Sequence, residues 1–244
     1  MNRRLLLTLA VPLVLAAVFA RLGFWQLARR SERLALNATL ISRADSAPQP
    51  LLDLTADTAQ GHYRRVTAAG VYDYEHELVY AGRTRNGSPG VDVLTPLRVA
   101  GRDTLVLVNR GWVYSPDARA VQYARWRERD TASVAGYAET FVGRPGQPAA
   151  SDSGRMVRAL NRATVERIAG RPVAPYVLIQ TSDSVLHADS VPVRREVPVL
   201  DAGPHGSYAI QWFGIAIIAI VGGGILVREQ RATRERVAGQ GRPG

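Results

Sequence analysis

The chain has four histidines, His62, His76, His187 and His205, and none lies in an HExxH frame or in paired metal-ligand spacing. Three read as surface or turn residues, and His205 differs by its position. Gly203-Pro204 has the form of a helix N-cap followed by proline at the first helical position, so His205 falls in the first turn of the uncharged run that follows. Tyr208 and Trp212, three and seven residues further on, share its helix face. The positive end of a helix disfavours a cation there, which leaves the ring as a neutral donor with a lone pair for a metal. A second cluster sets Arg21, Arg29 and Arg30 around Phe24 and Trp25. Histidine for iron, aromatic rings for a macrocycle and arginines for carboxylates form the set a haem requires. On that reading His205 is the iron ligand, with Tyr208, Trp212, Trp25, Arg29 and Arg21 around the group. The same residues also describe an interfacial histidine beside a Trp/Tyr anchor belt.

Composition removes other chemistries. Every basic side chain is arginine, so a Walker A loop and Schiff-base catalysis are excluded. With no cysteine there is no thiolate zinc site, redox pair, disulfide or covalent haem attachment. No G-x-S-x-G elbow occurs and no carboxylate pairing stands out, so the protein is not expected to be an enzyme. A net charge of +10 raises nucleic acid as a partner, but the arginines are scattered and gather mainly beside the two apolar ends. Anionic lipid explains that placement better.

Those ends set the architecture. Residues 5–20 are uncharged, and the run resumes after Arg21 through Trp25, enough for a membrane span if Arg21 snorkels. Arg3, Arg4 and the small residues near Ala20 fit a cleaved signal peptide equally well. Residues 208–227 carry no charge and read as a transmembrane helix followed by an arginine-rich tail, which puts the C-terminus in the cytoplasm. The expected division is therefore an N-terminal span (1–27), an extracytoplasmic β-rich domain (28–203), a second span (204–228) and a basic cytoplasmic tail (229–244).

The middle reads as strands over 65–72, 78–84, 91–99, 104–108, 133–140, 156–160 and 175–181. The run 104–108 lacks alternation after its first residue and should be buried on both faces. Asn86-Gly87 marks a hairpin, lengthened by the following Ser-Pro-Gly. Helices are expected over 116–129 and over 163–169, the latter closed by Gly170. Residues 45–50 and 143–154 read as loops or linkers. The fold class is a membrane protein, α+β, with two transmembrane helices flanking a β-rich barrel or sandwich that carries one or two short helices.

Five strings in order resemble a known pattern. Leu22-Gly23-Phe24-Trp25-Gln26-Leu27-Ala28-Arg29 is similar to the LGxWQLxR signature of the Surfeit locus protein 1 family of cytochrome c oxidase assembly factors. Arg65-Val66 with Gly70 and Tyr72, then Gly90-Val91 leading to Val93-Leu94-Thr95-Pro96-Leu97, follow in that family's order. Val106-Leu107-Val108-Asn109-Arg110-Gly111-Trp112-Val113 comes next, and His205, Tyr208-Ala209 and Trp212-Phe213 match its NHxxYAxxWF block. Pro204 replaces the family's asparagine, Gly206-Ser207 its bulkier pair, and Tyr114 a frequent proline.

The resemblance implies that the first span is kept as an anchor, and with no Ser/Arg-rich import leader evident before Leu5 a bacterial plasma membrane is the expected location. The resemblance also implies binding of haem a and its delivery to subunit I of haem-copper oxidase, with haem a synthase a further candidate partner. His205 would be the iron ligand, near Trp25 and Arg29. A membrane-tethered module that scaffolds oxidase subunits without cofactor is the alternative. Arg110-Gly111-Trp112 reads as a strand-ending turn with the indole packed on the domain.

Overall fold

The computed structural model describes residues 3–117, 121–141, 155–181, 192–196 and 200–240. The chain divides into two compact units, Met1–Ala38 with Leu200–Gly244, and Thr39–Val199.

In chain order the elements are α1 (Arg3–Ala44), β1 (Gln49–Pro50), α2 (Thr58–Gly61), β2 (Arg65–Tyr72), β3 (Leu78–Arg85), β4 (Ser88–Arg98) and β5 (Leu105–Tyr114). β6 (Thr131–Thr140), β7 (Met156–Val157), α3 (Arg162–Ala169), β8 (Val173–Gln180) and α4 (His205–Gln240) follow.

The first unit is an antiparallel pair of helices. Both are long and apolar enough to cross a membrane, over Leu7–Ala44 and His205–Arg234. They outrun the spans read from sequence, since α1 continues past residue 27 to Ala44 and α4 past residue 228 to Gln240. Their contacts recur every three or four residues, the seam spacing of a coiled coil. Thr8 accepts from Gln230 Nε2 at 2.8 Å. Gly223 makes room for Pro12, because a Cβ there would stand 2.6 Å from the proline Cβ. Phe19 stacks on Trp212 with centroids 5.7 Å apart, and Phe24 meets Phe213 edge-on at 5.1 Å. Asn37 Nδ2 donates to the Asp201 carbonyl at 2.7 Å. On α4 the buried Ala209 and Ala216, with Gly223 and Gln230, fall at heptad intervals.

The second unit is a closed barrel with extra strands. Going round, β2 pairs with β6, β6 with β8, β8 with β5, β5 with β4, and β4 with β2. Only β5–β8 is parallel within that circuit, and the closure rests on Val71↔Arg98 and Tyr72↔Leu97. β3 hangs on β4, β7 on β3 and β1 on β2. β5 explains the layering. Val106 and Val108 pack with Val66, Leu97 and Leu178 on one face, while Leu105 and Leu107 pack with Val165 and Ala169 of α3 on the other. All four are essentially inaccessible, as the unbroken apolar run requires, and each such burial contributes about 2 kcal/mol. α3 is capped at its start by Asn161 Oδ1, which accepts from Ala163 N at 3.0 Å, and stopped by Gly170 at φ +65°.

Several expectations are corrected. The hairpin loop is two residues long, with Arg85 opposite Ser88 and both Asn86 (φ +49°) and Gly87 (φ +78°) left-handed, so Ser88-Pro89-Gly90 belongs to β4. β5 does not stop at Val108; it runs through Arg110-Gly111-Trp112, helped by a bulge opposite Val93/Leu94. The strand over 156–160 shrinks to Met156–Val157, and Gln49–Pro50 forms a short strand where a loop was read. The helix over 116–129 is not formed: residues 118–120 lie outside the described set, and beyond them there is only a 3-10 turn, Tyr123–Trp126. Gly203 is left-handed at φ +67°, and the Pro204 carbonyl accepts the first helical bond from Tyr208 N at 3.1 Å, so Pro204 occupies the cap and His205 the first helical position. The loop read over 143–154 lies outside the described residues, as does His187.

Candidate functional site

The helix pair brings together three of the residues singled out from sequence. Trp25, Arg29 and His205, with Glu32, Arg33 and Leu36, line an open-sided recess of about 390 Å³. Positions 25, 29, 32 and 36 form one stripe of α1, and His205 comes from the first turn of α4. Arg29 reaches Glu32 at 2.7 Å, so its guanidinium is held over the recess by a mostly exposed ion pair. Arg21 stands apart, in an adjoining groove with Val18, Leu22, Phe24, Trp25 and Ala28, and Trp25 is shared between the two. Tyr208 is exposed, and Trp212 is engaged with Phe19 rather than with the recess. Gly206 leaves room for Arg30, whose Nε lies 3.4 Å from where a Cβ would be.

One residue of the site escaped the sequence reading. Gln26 is 9% exposed, and its Oε1 lies 2.8 Å from His205 Nδ1. An amide oxygen accepts, so this contact selects the tautomer with its proton on Nδ1 and the lone pair on Nε2. Nε2 has no hydrogen-bond partner among the described residues. A polar residue at a seam position of an otherwise apolar helix pair is the cue that could have revealed it.

A haem fits this donor set in kind. An imidazole held by Gln26 through Nδ1, an exposed indole and two arginines suit the iron, the macrocycle and the propionates respectively.

The barrel contains a second constellation, also missed. Arg110 is completely buried. Its Nη1 lies 2.7 Å from Glu77 Oε2 and its Nη2 2.7 Å from Glu128 Oε1, while the Trp126 carbonyl accepts from Nη2. Thr95 Oγ1 donates to Glu77 at 2.6 Å, and the rings of Tyr72 and Tyr74 lie 5.3 Å from the guanidinium. Arg194 completes the set, pairing with Glu128 at 2.5 Å and donating to the Arg110 carbonyl. Next to it, Asp92 holds Arg195 at 2.7 Å, Arg83 at 3.4 Å and Asn109 Nδ2 at 3.1 Å, and Arg195 also reaches Glu139 at 3.7 Å. The segment 192–196 is thus strapped to β5, with Val193 and Trp112 exchanging backbone hydrogen bonds of 2.8 and 2.9 Å.

Burial pushes the carboxyls of Glu77 and Glu139 above their ordinary 4.5, against the pull of Thr95 and Arg110 on the first and Arg195 on the second. Burial, then Glu139, pushes the Tyr137 hydroxyl up to about 12. The folded chain keeps protons on these two glutamates to higher pH than the unfolded chain does. Their contribution to stability is therefore complete below the ordinary glutamate range and is lost as pH rises through the folded values. Thermal scans should show Glu139→Gln losing less stability than wild type as pH rises from about 4.5 toward neutral. Equal losses in the two proteins would contradict this.

Comparison with known proteins places the chain in a family. The SURF1 family model matches residues 13–217. A SURF1-like protein of Mycobacterium tuberculosis is 30% identical over 256 aligned positions, covering 96% of this chain and 89% of that protein. A SURF1-like protein of Monosiga brevicollis is 27% identical over 222 positions, covering 87% and 83%. Surfeit locus protein 1 of Mus musculus is 32% identical over 115 positions, covering 41% and 38%. With a family match that runs from within α1 well into α4 and takes in both the recess and the barrel, the chain belongs to the SURF1 family.

Proposed function

We propose that the protein is a membrane-anchored assembly factor for cytochrome oxidase, not an enzyme, which binds haem a and assists its delivery to oxidase subunit I. The observation that carries the reading is the convergence of His205, Trp25 and Arg29 on one recess, with the imidazole oriented by Gln26. In this reading both helices span a bacterial plasma membrane, the termini are cytoplasmic, the barrel lies outside, and haem a synthase is the source of the group. Haem, when bound, would supply an iron centre for the chain's own groups to hold. The chain's own residues do the rest: His205 offers Nε2, Trp25 gives an apolar face, and Arg29 and Arg33 offer charge to carboxylates.

The test is to purify the full chain in detergent from a haem-a-producing host and record its absorption spectrum. Haem a is expected with the wild type, and at most a trace with His205→Ala at unchanged yield. Full retention by His205→Ala removes the ligand role. A wild type free of haem that still supports oxidase assembly favours a cofactor-free scaffold instead.

A further inference from the structure

Gln26 occupies a position where the helix seam calls for an apolar or small side chain. Along α1 the seam residues on either side are Ala16, Phe19 and Gly23 before it and Arg30 after it, and the amide is 9% exposed. A buried amide is tolerated only when paired, and its partner is the Nδ1 of His205 at 2.8 Å. The pairing fixes one tautomer, and it fixes the ring plane so that Nε2 is the nitrogen left for a ligand. The other charged groups around the ring, Arg29, Glu32 and Arg33, line the recess and leave Nδ1 to Gln26.

We infer that Gln26 is a positioning residue that orients His205 for iron and, being a neutral acceptor, keeps the iron–imidazole bond weak enough for the haem to be passed on. This rests on the haem reading above. A carboxylate accepting from Nδ1–H draws the proton away and makes the imidazole a stronger donor to iron. An amide oxygen polarises the ring less. The consequence is a ligand well oriented but exchangeable, with a higher reduction potential than a carboxylate-backed histidine would give. A carrier needs that combination, whereas a resident cofactor site does not.

The experiment uses the detergent-purified full chain loaded with haem b or haem a. Gln26→Leu, Gln26→Glu and His205→Ala are compared by affinity, by the rate of haem transfer to excess apomyoglobin and by reduction potential. Gln26→Leu is expected to weaken binding by about tenfold to a hundredfold. Gln26→Glu is expected to bind at least as tightly as wild type, to slow transfer by about tenfold or more, and to lower the potential while keeping a histidine-ligated spectrum. Because Gln26→Glu retains a polar acceptor of the same size, it keeps the test decisive if Gln26→Leu disturbs the helix pair. If transfer rate and potential of Gln26→Glu equal those of wild type while His205→Ala has lost its haem, the role of Gln26 is overturned and the haem reading stands. If His205→Ala keeps the wild-type spectrum, both fall together.

Discussion

Replacing Arg110 with methionine is expected to destabilise the barrel by about 3–5 kcal/mol, a melting shift of the order of 10 °C. The side chain is 0% exposed, and its guanidinium neutralises Glu77, which is 2% exposed, and Glu128, which is 23% exposed. Methionine fills much of the volume but leaves Glu77 buried with Thr95 as its remaining hydrogen-bond partner among the described residues, and removes the donor to the Trp126 carbonyl. The penalty comes from the stranded carboxylate more than from the lost attraction. Replacing Glu77 and Arg110 together with methionine should therefore recover part of the loss. Thermal scans of the solubilised single and double variants test this: a single variant that melts with the wild type, or a double that melts well below the single, contradicts it.

The second large effect is expected at Gly111. Its φ of +126° is a conformation that side chains avoid, and a Cβ there would stand 2.4 Å from the Val193 carbonyl. Gly111→Ala must either pay backbone strain of about 1–3 kcal/mol or push Val193 away. The latter breaks the exchange of hydrogen bonds between Trp112 and Val193 and draws Arg194 and Arg195 from Glu128 and Asp92. Hydrogen exchange reads the outcome directly, since the Val193 amide should lose most of its protection while β6 and β8 keep theirs. Unchanged protection at Val193 together with unchanged melting would show that the strap tolerates a side chain there.

Both predictions concern residues whose role the sequence disguised. Asn109-Arg110-Gly111 has the composition of a turn, yet it stays in β5, where Asn109 pairs with Leu94 and Ile179, Gly111 pairs with Val93, and Arg110 meets Glu77 and Glu128 inside the barrel. Residues 116–129 are rich in Ala and Arg, good helix formers, but the Trp126 carbonyl and the Glu128 carboxylate are claimed by Arg110, an interaction worth more than local propensity. Such pairings join positions far apart in the chain and leave no period to read. By contrast, the apolar runs of both helices, the unbroken 105–108 strand and Gly170 as a helix stop were legible because each depends on neighbours along the chain. The recess was half legible. Trp25, Arg29 and His205 could be found from spacing and motif, whereas Glu32 and Leu36 were not singled out and Gln26 required the register of one helix against the other.

The order of strands in the closed barrel has a further consequence for the making of the protein. β8 is the last strand among the described residues, yet it is the stave that joins β6 to β5. Until residues 173–180 emerge during synthesis, both of those strands present bare edges, and such edges invite adhesion to other chains. A premature stop upstream of Val173 would thus cost the cell the whole barrel, not a single strand.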